Sequence, residues 1–223
     1  SEPHSGAYSN HATGWNKLQN EVLTAVREQD PERIVFVPAM GWQDYNYIKY
    51  ARVAEEDPNA VVSFHYYLPM LLSHYKMLAW VGYQGTVQYP GVVIPTQSDA
   101  DKYPQYASFH KTTYNADRIM GEMSNAASDG RNAGLAVHCG EFGCSKNVAE
   151  AMRLAWFTDM VAAMEANNIP WTLWECLDGG FGFVDMEYGI YRINCPLLKV
   201  LTGKELTDAE AKALLQKYGF KTE

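Results

Sequence analysis

The chain has 223 residues, of which 47% are hydrophobic, so it can bury the core of a single domain spanning 1–223. Its formal net charge is −8 and it contains no basic run, which excludes nucleic acid and an anionic membrane surface as predicted partners, because phosphate binding needs clustered Lys and Arg. No apolar stretch approaches the ~20 residues that span a bilayer, and the N-terminus lacks the basic and apolar regions of a signal peptide, as a mature secreted protein also would.

The cysteine and aromatic residues carry different information. Four cysteines in a chain of this size, without a C-x-x-C pair, do not build a disulfide framework, so we interpret them as core thiols. Aromatic residues make up 13% of the chain, with 15 Tyr and 6 Trp, many of them in predicted loops. Rings with hydroxyl or indole N–H groups suit the mixed C–H and O–H face of a sugar, although ordinary core packing accounts for many of them.

Helix and strand patterns alternate along the chain. The first helical pattern begins at Trp15 and stops at Asp30-Pro31, because the residue before a proline disfavours helix. Residues 67–103 form a long segment rich in Pro, Gly and Tyr with one short helix predicted at 70–80, and loops this long are uncommon unless they are functional. The other predicted elements are strands 33–38, 60–66, 135–139 and 171–176, helices 45–54, 106–127, 148–167, 196–201 and 207–218, and loops 40–44, 129–134 and 178–183.

One carboxylate lies at the end of a predicted buried strand. The apolar run from Leu135 ends on Glu141, which is followed by Phe142-Gly143 and preceded by Gly140. Ligands of α/β barrels bind at the carboxyl ends of the strands, and flanking glycines let backbone and substrate approach closely. For Glu141 alone, a cap on the next helix is an equal alternative.

The order of the elements predicts a (β/α) barrel. Strands and helices alternate, and polar or aromatic residues follow the strands. An open doubly wound sheet is the competing arrangement, but no G-x-G-x-x-G or P-loop sequence opens a helix. We therefore do not expect nucleotide binding.

A second carboxylate, Glu2, precedes Pro3-His4 at the opening of another loop. Glu2 and Glu141 are far apart in sequence, so only a closed, multi-stranded fold would bring them together. A glycosidase uses such a pair, in which one carboxylic acid protonates the leaving oxygen and one carboxylate attacks the anomeric carbon. A metal-dependent hydrolase is disfavoured, because no ligand spacing such as H-E-x-x-H occurs.

With these motifs the chain resembles the family five glycoside hydrolases, (β/α)8 TIM-barrel enzymes that include endo-β-1,4-glucanases and mannanases. Four motifs lie in the family's order: Ser1-Glu2-Pro3-His4 resembles the Asn-Glu-Pro that ends strand four, His65-Tyr66-Tyr67 the His-x-Tyr of strand six, Gly140-Glu141-Phe142-Gly143 the nucleophile motif of strand seven, and Trp174 the tryptophan of strand eight. Each motif is weak alone, but together they make a specific signal.

The resemblance implies a role for each residue. Glu141 would be the nucleophile, and Glu2 the general acid and then the base. Substrate-binding roles are implied for five further residues: His65 in the catalytic centre, Tyr67 as a hydrogen-bond donor to Glu141, Trp174 as the floor of the reacting subsite, Trp42 as a platform along the cleft and His4 on the aglycone side. No metal and no cofactor is implied. A structural His65 and a packing Trp42 remain alternatives, and His138 is expected in the core.

The chain departs from the family pattern in two ways. Ser1 stands where the family has Asn, which weakens a predicted contact to the sugar 2-hydroxyl. The resemblance also begins at the end of strand four, so only the strand-four-end to strand-eight part of the barrel is expected here. Four parallel strands cannot close an eight-stranded barrel, and an open half exposes two edges and an apolar face. We expect the C-terminal part of a larger catalytic domain, with a pairing of two half-barrels as the rival.

These inferences predict a retaining, secreted endo-β-1,4-glucanase. Its partner would be a β-linked polysaccharide or oligosaccharide, together with the missing N-terminal half of the barrel or a second copy of the chain. A β-mannanase or xyloglucanase is the alternative within the family. A non-catalytic carbohydrate-binding fragment, or pseudoenzyme, is the alternative from another class; it would bind oligosaccharide and leave it intact.

Overall fold

A computed structural model describes residues 14–53, 57–77, 82–177 and 179–222. Ser1, Glu2 and His4, which carry the predicted strand-four motif, lie outside the described residues. The chain groups into two compact units. Among the described residues, the first unit contains those up to 66, together with 121–142 and 164–172, and the second contains those within 67–120 and 143–163 and those from 173 onward.

Helices and strands alternate through most of the chain, and the predicted strands at 33–38, 60–66 and 135–139 are present. In chain order they are α1 (Asn16–Gln29), β1 (Val35–Pro38), α2 (Met40–Gln43), β2 (Ala60–Tyr66), α3 (Met70–Ser73), β3 (Gly91–Val92), α4 (Gln97–Lys102), β4 (Thr113–Tyr114), α5 (Ala116–Ala133), β5 (Ala136–Phe142), α6 (Glu150–Ala166), β6 (Val184–Glu187), β7 (Ile190–Ile193), α7 (Cys195–Thr202) and α8 (Asp208–Lys217). In the part of the chain that the structure describes, 3-10 helices also span Tyr45–Tyr50 and Pro104–Lys111. None of the described helices combines the length and hydropathy needed to cross a membrane.

The first unit is built on a parallel sheet in the order β1-β2-β5. Residues 170–172 add a further extended segment beside β5, because the Cys139 N–H donates to the carbonyl of Pro170 and the Thr172 N–H donates to the carbonyl of Cys139, both at 2.9 Å. Parallel neighbours connected through helices are the arrangement from which α/β barrels are made.

The two faces of this sheet are buried to different extents. On one face Val62, Phe64 and Cys139 are fully buried. On the other face Phe36 is 53% exposed and Ile34, just before β1, is 61% exposed. Parallel sheets are ordinarily covered on both faces. The exposed face is therefore one that a complete barrel would turn inward.

The second unit contains two antiparallel strand pairs and the C-terminal helices. Strands β3 and β4 form one pair, and β6 and β7 form a hairpin across the turn residues Tyr188 and Gly189, both at positive φ. A buried arginine fixes the glycine-aromatic loop, since Arg153 donates to the carbonyls of Cys144 and Gly182, each at 2.8 Å, and to that of Phe181. Helix α8 begins with a Thr207–Glu210 capping box.

The helix predicted at 106–127 is wrong in both of its boundaries. A 3-10 helix and strand β4 occupy its first part, and Asn115 starts α5 by accepting a hydrogen bond from the Arg118 N–H at 3.0 Å. Helix α5 then continues through the predicted turn at 129–134. A glycine is needed at 130 because a Cβ there would overlap the Val137 side chain. The helix stops before Gly134, which has φ +71°.

The strand predicted at 171–176 is also wrong beyond its start, because only Trp171 forms a bridge, to Cys139. Residues 172–176 form a loop in which the Trp174 side chain is 44% exposed, so their apolar side chains do not mark a paired strand. The β6–β7 hairpin was not predicted, although its alternating residues around Tyr188-Gly189 are a hairpin signal.

Candidate active site at the carboxyl end of the sheet

A β-bulge sets the direction of Glu141. Strands β2 and β5 pair regularly up to Phe64 and Cys139, and the next pair is His65 with Glu141, so Gly140 is an extra residue in β5. Strict alternation would turn Glu141 toward the buried face that holds Cys139. The extra residue turns it to the opposite face, beside His65. Bulges that redirect a side chain occur frequently next to active sites.

Gly140 is required at the bulge for steric reasons. A Cβ at this position would lie 2.5 Å from Ser63 Oγ and 3.5 Å from the His65 ring. The first distance is below any normal contact, so a larger residue would displace Ser63 or the strand. The Cys139 thiol spans the bulge by donating to the Glu141 carbonyl at 3.3 Å, and burial raises the pKa of this thiol, which keeps it protonated.

The carboxylate of Glu141 is held by His65. The Nδ1 of His65 lies 3.3 Å from Oε2 of Glu141, and the two side chains are 8% and 25% exposed. The imidazole is thus packed into the sheet while part of the carboxylate faces solvent. Such a carboxylate has a fixed direction and remains open to a ligand, as a nucleophile or a hydrogen-bond acceptor requires.

His138 is not a core residue, contrary to expectation. It is half-buried on the same face as Ser63, with Nδ1 3.4 Å from Ser63 Oγ and Nε2 3.1 Å from Thr172 Oγ1. The Phe36 ring packs against it at 4.7 Å. Burial first, and the nearby His65 second, lower the pKa of His138 and favour its neutral form.

Trp42 lies on a strained turn at the same end of the sheet. Its φ is +64°, and the neighbouring Gly41 and Gln43 are also at positive φ, which is uncommon for residues with a side chain. The Tyr47 ring occupies the space of a Cβ on Gly41. Asp44 forms a parallel bridge with His65, so the turn that carries Trp42, which is 60% exposed, is anchored beside that histidine.

Tyr67 and Trp174 belong to the second unit. The Tyr67 ring packs 4.9 Å from His74 and 5.7 Å from Phe181, within a cluster of three rings. Trp174 is 44% exposed, and its carbonyl occupies the space of a Cβ on Gly143, so that position also demands glycine. The hydrogen bond predicted from Tyr67 to Glu141 stays a prediction.

The structure brings together part of the predicted site. Glu141 and His65 meet, and the Trp42 turn is bridged to His65, whereas Glu2 and His4 lie outside the described residues. The roles of Ser63, Thr172 and the Gly140 bulge were missed. An isolated glycine inside a strand pattern is a signal for a bulge, so that part could have been predicted. Among the described residues no group of three His, Cys, Asp or Glu side chains is arranged to hold a metal ion.

A parallel α/β sheet with a ligand-accessible carboxylate at its carboxyl end places the chain in the class of α/β proteins whose sites lie on the loops after the strands. Residues 2–180 match the model of one family, described as Cellulase (glycosyl hydrolase family 5). The chain belongs to glycosyl hydrolase family 5, and the predicted family and (β/α)8 TIM-barrel fold class, present here in part, are confirmed.

The chain is also similar to individual proteins and solved structures. Endoglucanase C of Acetivibrio thermocellus is 24% identical over 188 residues, which are 81% of this chain and 52% of that protein. A hyperthermophilic endo-β-1,4-glucanase solved with substrate is similar at TM-score 0.69 and 23% identity, over 92% of this chain and 57% of that one. Thermotoga maritima Cel5A solved with mannotriose is similar at TM-score 0.67 and 19% identity, over 90% of this chain and 57% of that one. The chain thus spans just over half the length of these relatives.

Proposed function

We propose that this chain carries both catalytic glutamates of a retaining glycoside hydrolase that cleaves β-1,4-linked glucan as an endoglucanase by double displacement. The observation that carries the proposal is the pairing of Glu141 with His65 at the carboxyl ends of two neighbouring parallel strands, at 3.3 Å. Membership of glycosyl hydrolase family 5 supports it.

In this mechanism the Glu141 carboxylate attacks the anomeric carbon and forms a glycosyl-enzyme ester. His65 holds the carboxylate in line for this attack. Glu2, as the general acid, protonates the leaving glycosidic oxygen in the first step and as general base takes a proton from water in the second. Two inversions leave the configuration retained, and the separation expected of the two carboxyl groups is about 5–5.5 Å. Neither step calls for a metal or an organic cofactor.

The sugar contacts are assigned by the exposure and chemistry of the side chains. Trp42 and Trp174, each with a large exposed fraction, would stack on sugar rings, with Trp174 under the reacting sugar. Tyr67 would donate to Glu141, and His4 would contact the aglycone. These stacking and hydrogen-bonding residues would bind a β-linked polysaccharide or oligosaccharide.

We further propose that the chain is the C-terminal part of one larger catalytic domain. The exposed Phe36 and Ile34 on the inward face of the sheet support this, because a complete barrel would cover them. The relatives, of whose length this chain spans just over half, support it too. The rival arrangement is a pair of half-barrels from two copies of the chain. Light scattering gives the particle mass and intact mass spectrometry the covalent mass. A particle of twice the covalent mass supports the pair, and a monomer excludes it.

A β-mannanase is the second candidate, favoured by the mannotriose bound to one of the solved relatives. A xyloglucanase of the same family, or a non-catalytic carbohydrate-binding fragment, would also use this sheet and its exposed aromatic side chains. Endoglucanase is preferred, because the named relative and the substrate complex are both endoglucanases. We also propose secretion, since a polymer substrate is too large to enter a cell.

The test is hydrolysis of soluble β-1,4-glucan and β-mannan by the purified chain, with Glu141→Ala as the control. Glucan cleavage that the substitution removes supports the proposal, and preferential mannan cleavage replaces the substrate while keeping the mechanism. Oligosaccharide binding without cleavage would favour the binding fragment. A chain that neither binds nor cleaves oligosaccharide would contradict the proposal.

A further inference from the structure

Three side chains on the inward face of the sheet form a polar line across neighbouring extended segments. Ser63 on β2 lies 3.4 Å from His138 on β5, and His138 lies 3.1 Å from Thr172 on the segment beside it. Inward positions of a barrel are usually filled by apolar side chains. A histidine with a hydroxyl at each ring nitrogen is therefore a specific arrangement rather than ordinary filling.

The line ends at the bulge that directs Glu141. Ser63 Oγ would lie 2.5 Å from a Cβ on Gly140, so the hydroxyl occupies the space directly over the extra residue of β5. Ser63 is 8% exposed, and its hydroxyl also lies 3.4 Å from Nδ1 of His138. The Ser63 hydroxyl therefore lies against the residue that immediately precedes Glu141.

We infer that His138 is a positioning residue: it holds Ser63 over the Gly140 bulge and thereby fixes the direction of Glu141 toward His65. The role of Glu141 as nucleophile rests on the proposed function, but the geometric statement does not. His138 bonds to Ser63 and Thr172. It acts on Glu141 through Ser63, with Thr172 as its anchor.

The neutral imidazole suits this role. One ring nitrogen then donates and the other accepts, so Ser63 and Thr172 can be held in complementary directions. Among the described residues, His65 is the charged neighbour that acts on His138, and Glu141 lies beyond it. Burial lowers the pKa of His138 and so favours the neutral form.

The first test measures the coupling of His65 to Glu141 without using activity. In the intact chain at pH 7.5, Glu141→Gln should shift the imidazole NMR signals of His65, because the two side chains are in contact. In a His138→Phe background this response should fall to less than about half, and in His138→Gln, whose amide keeps a donor and an acceptor, it should be largely retained. An undiminished response in His138→Phe would overturn the inference.

Matched variants separate positioning from a general loss of packing. His110→Phe is the control, since His110 bonds a backbone carbonyl, that of Ile94 at 2.8 Å, in the second unit, and should leave the response unchanged. Thr172→Val removes the anchor at constant volume and should reduce the response in the same direction as His138→Phe. If His138→Phe fails to fold, Thr172→Val takes its place in the test. An undiminished shift of the His65 signals in Thr172→Val would then overturn the inference.

The second test uses turnover of soluble β-glucan. His138→Phe should lower kcat by about 10-fold with little change in KM, and His138→Gln should recover most of the loss, because a misdirected nucleophile affects the reaction more than binding. An equal loss in both variants would indicate a merely structural role. If the chain cleaves no glycoside, the proposed function fails, whereas the NMR response still decides the role of His138.

Discussion

Along β5, residues 136–139 alternate between the two faces of the sheet, whereas residues 140–142 break that alternation. In the first part Val137 and Cys139 are buried and His138 faces the other way. In the second part Gly140 is inserted, and Glu141 emerges on the face of His65. The regular part contributes packing and the irregular part directs the carboxylate. The local departure from sheet geometry is thus where the candidate chemistry lies.

The largest expected effect lies at the end of the irregular part. Glu141→Gln keeps the size of the side chain and removes its charge, so turnover should fall by at least about 10³-fold. Thermal unfolding and oligosaccharide binding should change little, because the side chain is partly exposed and its hydrogen bond to His65 can be kept. Initial rates with binding by calorimetry measure both. Activity within tenfold of the unaltered chain would remove Glu141 from the mechanism.

Gly140→Ala tests the bulge itself. The added Cβ meets Ser63 Oγ, so the strand or the serine must shift, and turnover should fall by about 100-fold with a loss of about 1–3 kcal/mol in unfolding free energy. Ser63→Gly in the same chain should restore part of the loss, because it vacates the space.

The matched control for this substitution is Gly121→Ala. Gly121 lies in α5, is exposed, and has nothing within 4 Å of an added Cβ. We expect unchanged turnover and a gain of about 0.5–1 kcal/mol in unfolding free energy. If the two alanine variants behave alike, the bulge has no special role.

Trp42→Ala tests the turn next to the bulge. Loss of a stacking platform should raise KM about three- to tenfold and leave kcat nearly unchanged, since the contact is equally present in ground and transition states. Tyr188→Ala, at a hairpin turn with 95% exposure, is the aromatic control and should change neither constant. A fall in kcat at constant KM for Trp42→Ala would instead favour a packing role.

The smallest effect concerns the pH dependence of stability in the regular part of β5. Because the folded state lowers the pKa of His138 from 6.5, the unfolded state binds more protons in the window below 6.5. The contribution of His138 to stability is therefore fully present above pH 6.5 and is lost as the pH falls through the lowered value. Denaturant unfolding of the chain and of His138→Gln between pH 7.5 and 5 should show a shallower decline for the variant. Parallel curves would contradict the shift.

Much of the framework follows from local sequence patterns. The apolar run at 60–66 predicted β2 with its observed boundaries, and Asp30-Pro31 ended α1 as expected. The glycine at 130 was wrongly predicted as part of a turn, because its packing against Val137 is a tertiary contact that no local pattern contains. The same limit applies to Trp171, where one bridge replaced a predicted strand.

The sequence predicted individual residues of the candidate site but not how their side chains are arranged. Glu141 and His65 followed from their positions after predicted strands and from the family resemblance. Their pairing depends on one inserted residue in a strand register, and register is set by long-range packing. The Ser63–His138–Thr172 line was missed for the same reason, since each residue alone looks like an ordinary strand position.

The central claim is that the bulge presents Glu141 as the nucleophile, and covalent trapping tests it most directly. A 2-deoxy-2-fluoro-β-cellobioside with a dinitrophenyl leaving group should form a slowly hydrolysed ester, because the leaving group speeds the first step and the fluorine slows the second. Peptide mapping should find one fluorocellobiosyl group on Glu141, and none in Glu141→Gln. A label on another carboxylate, or glucan cleavage without any label, would contradict the claim.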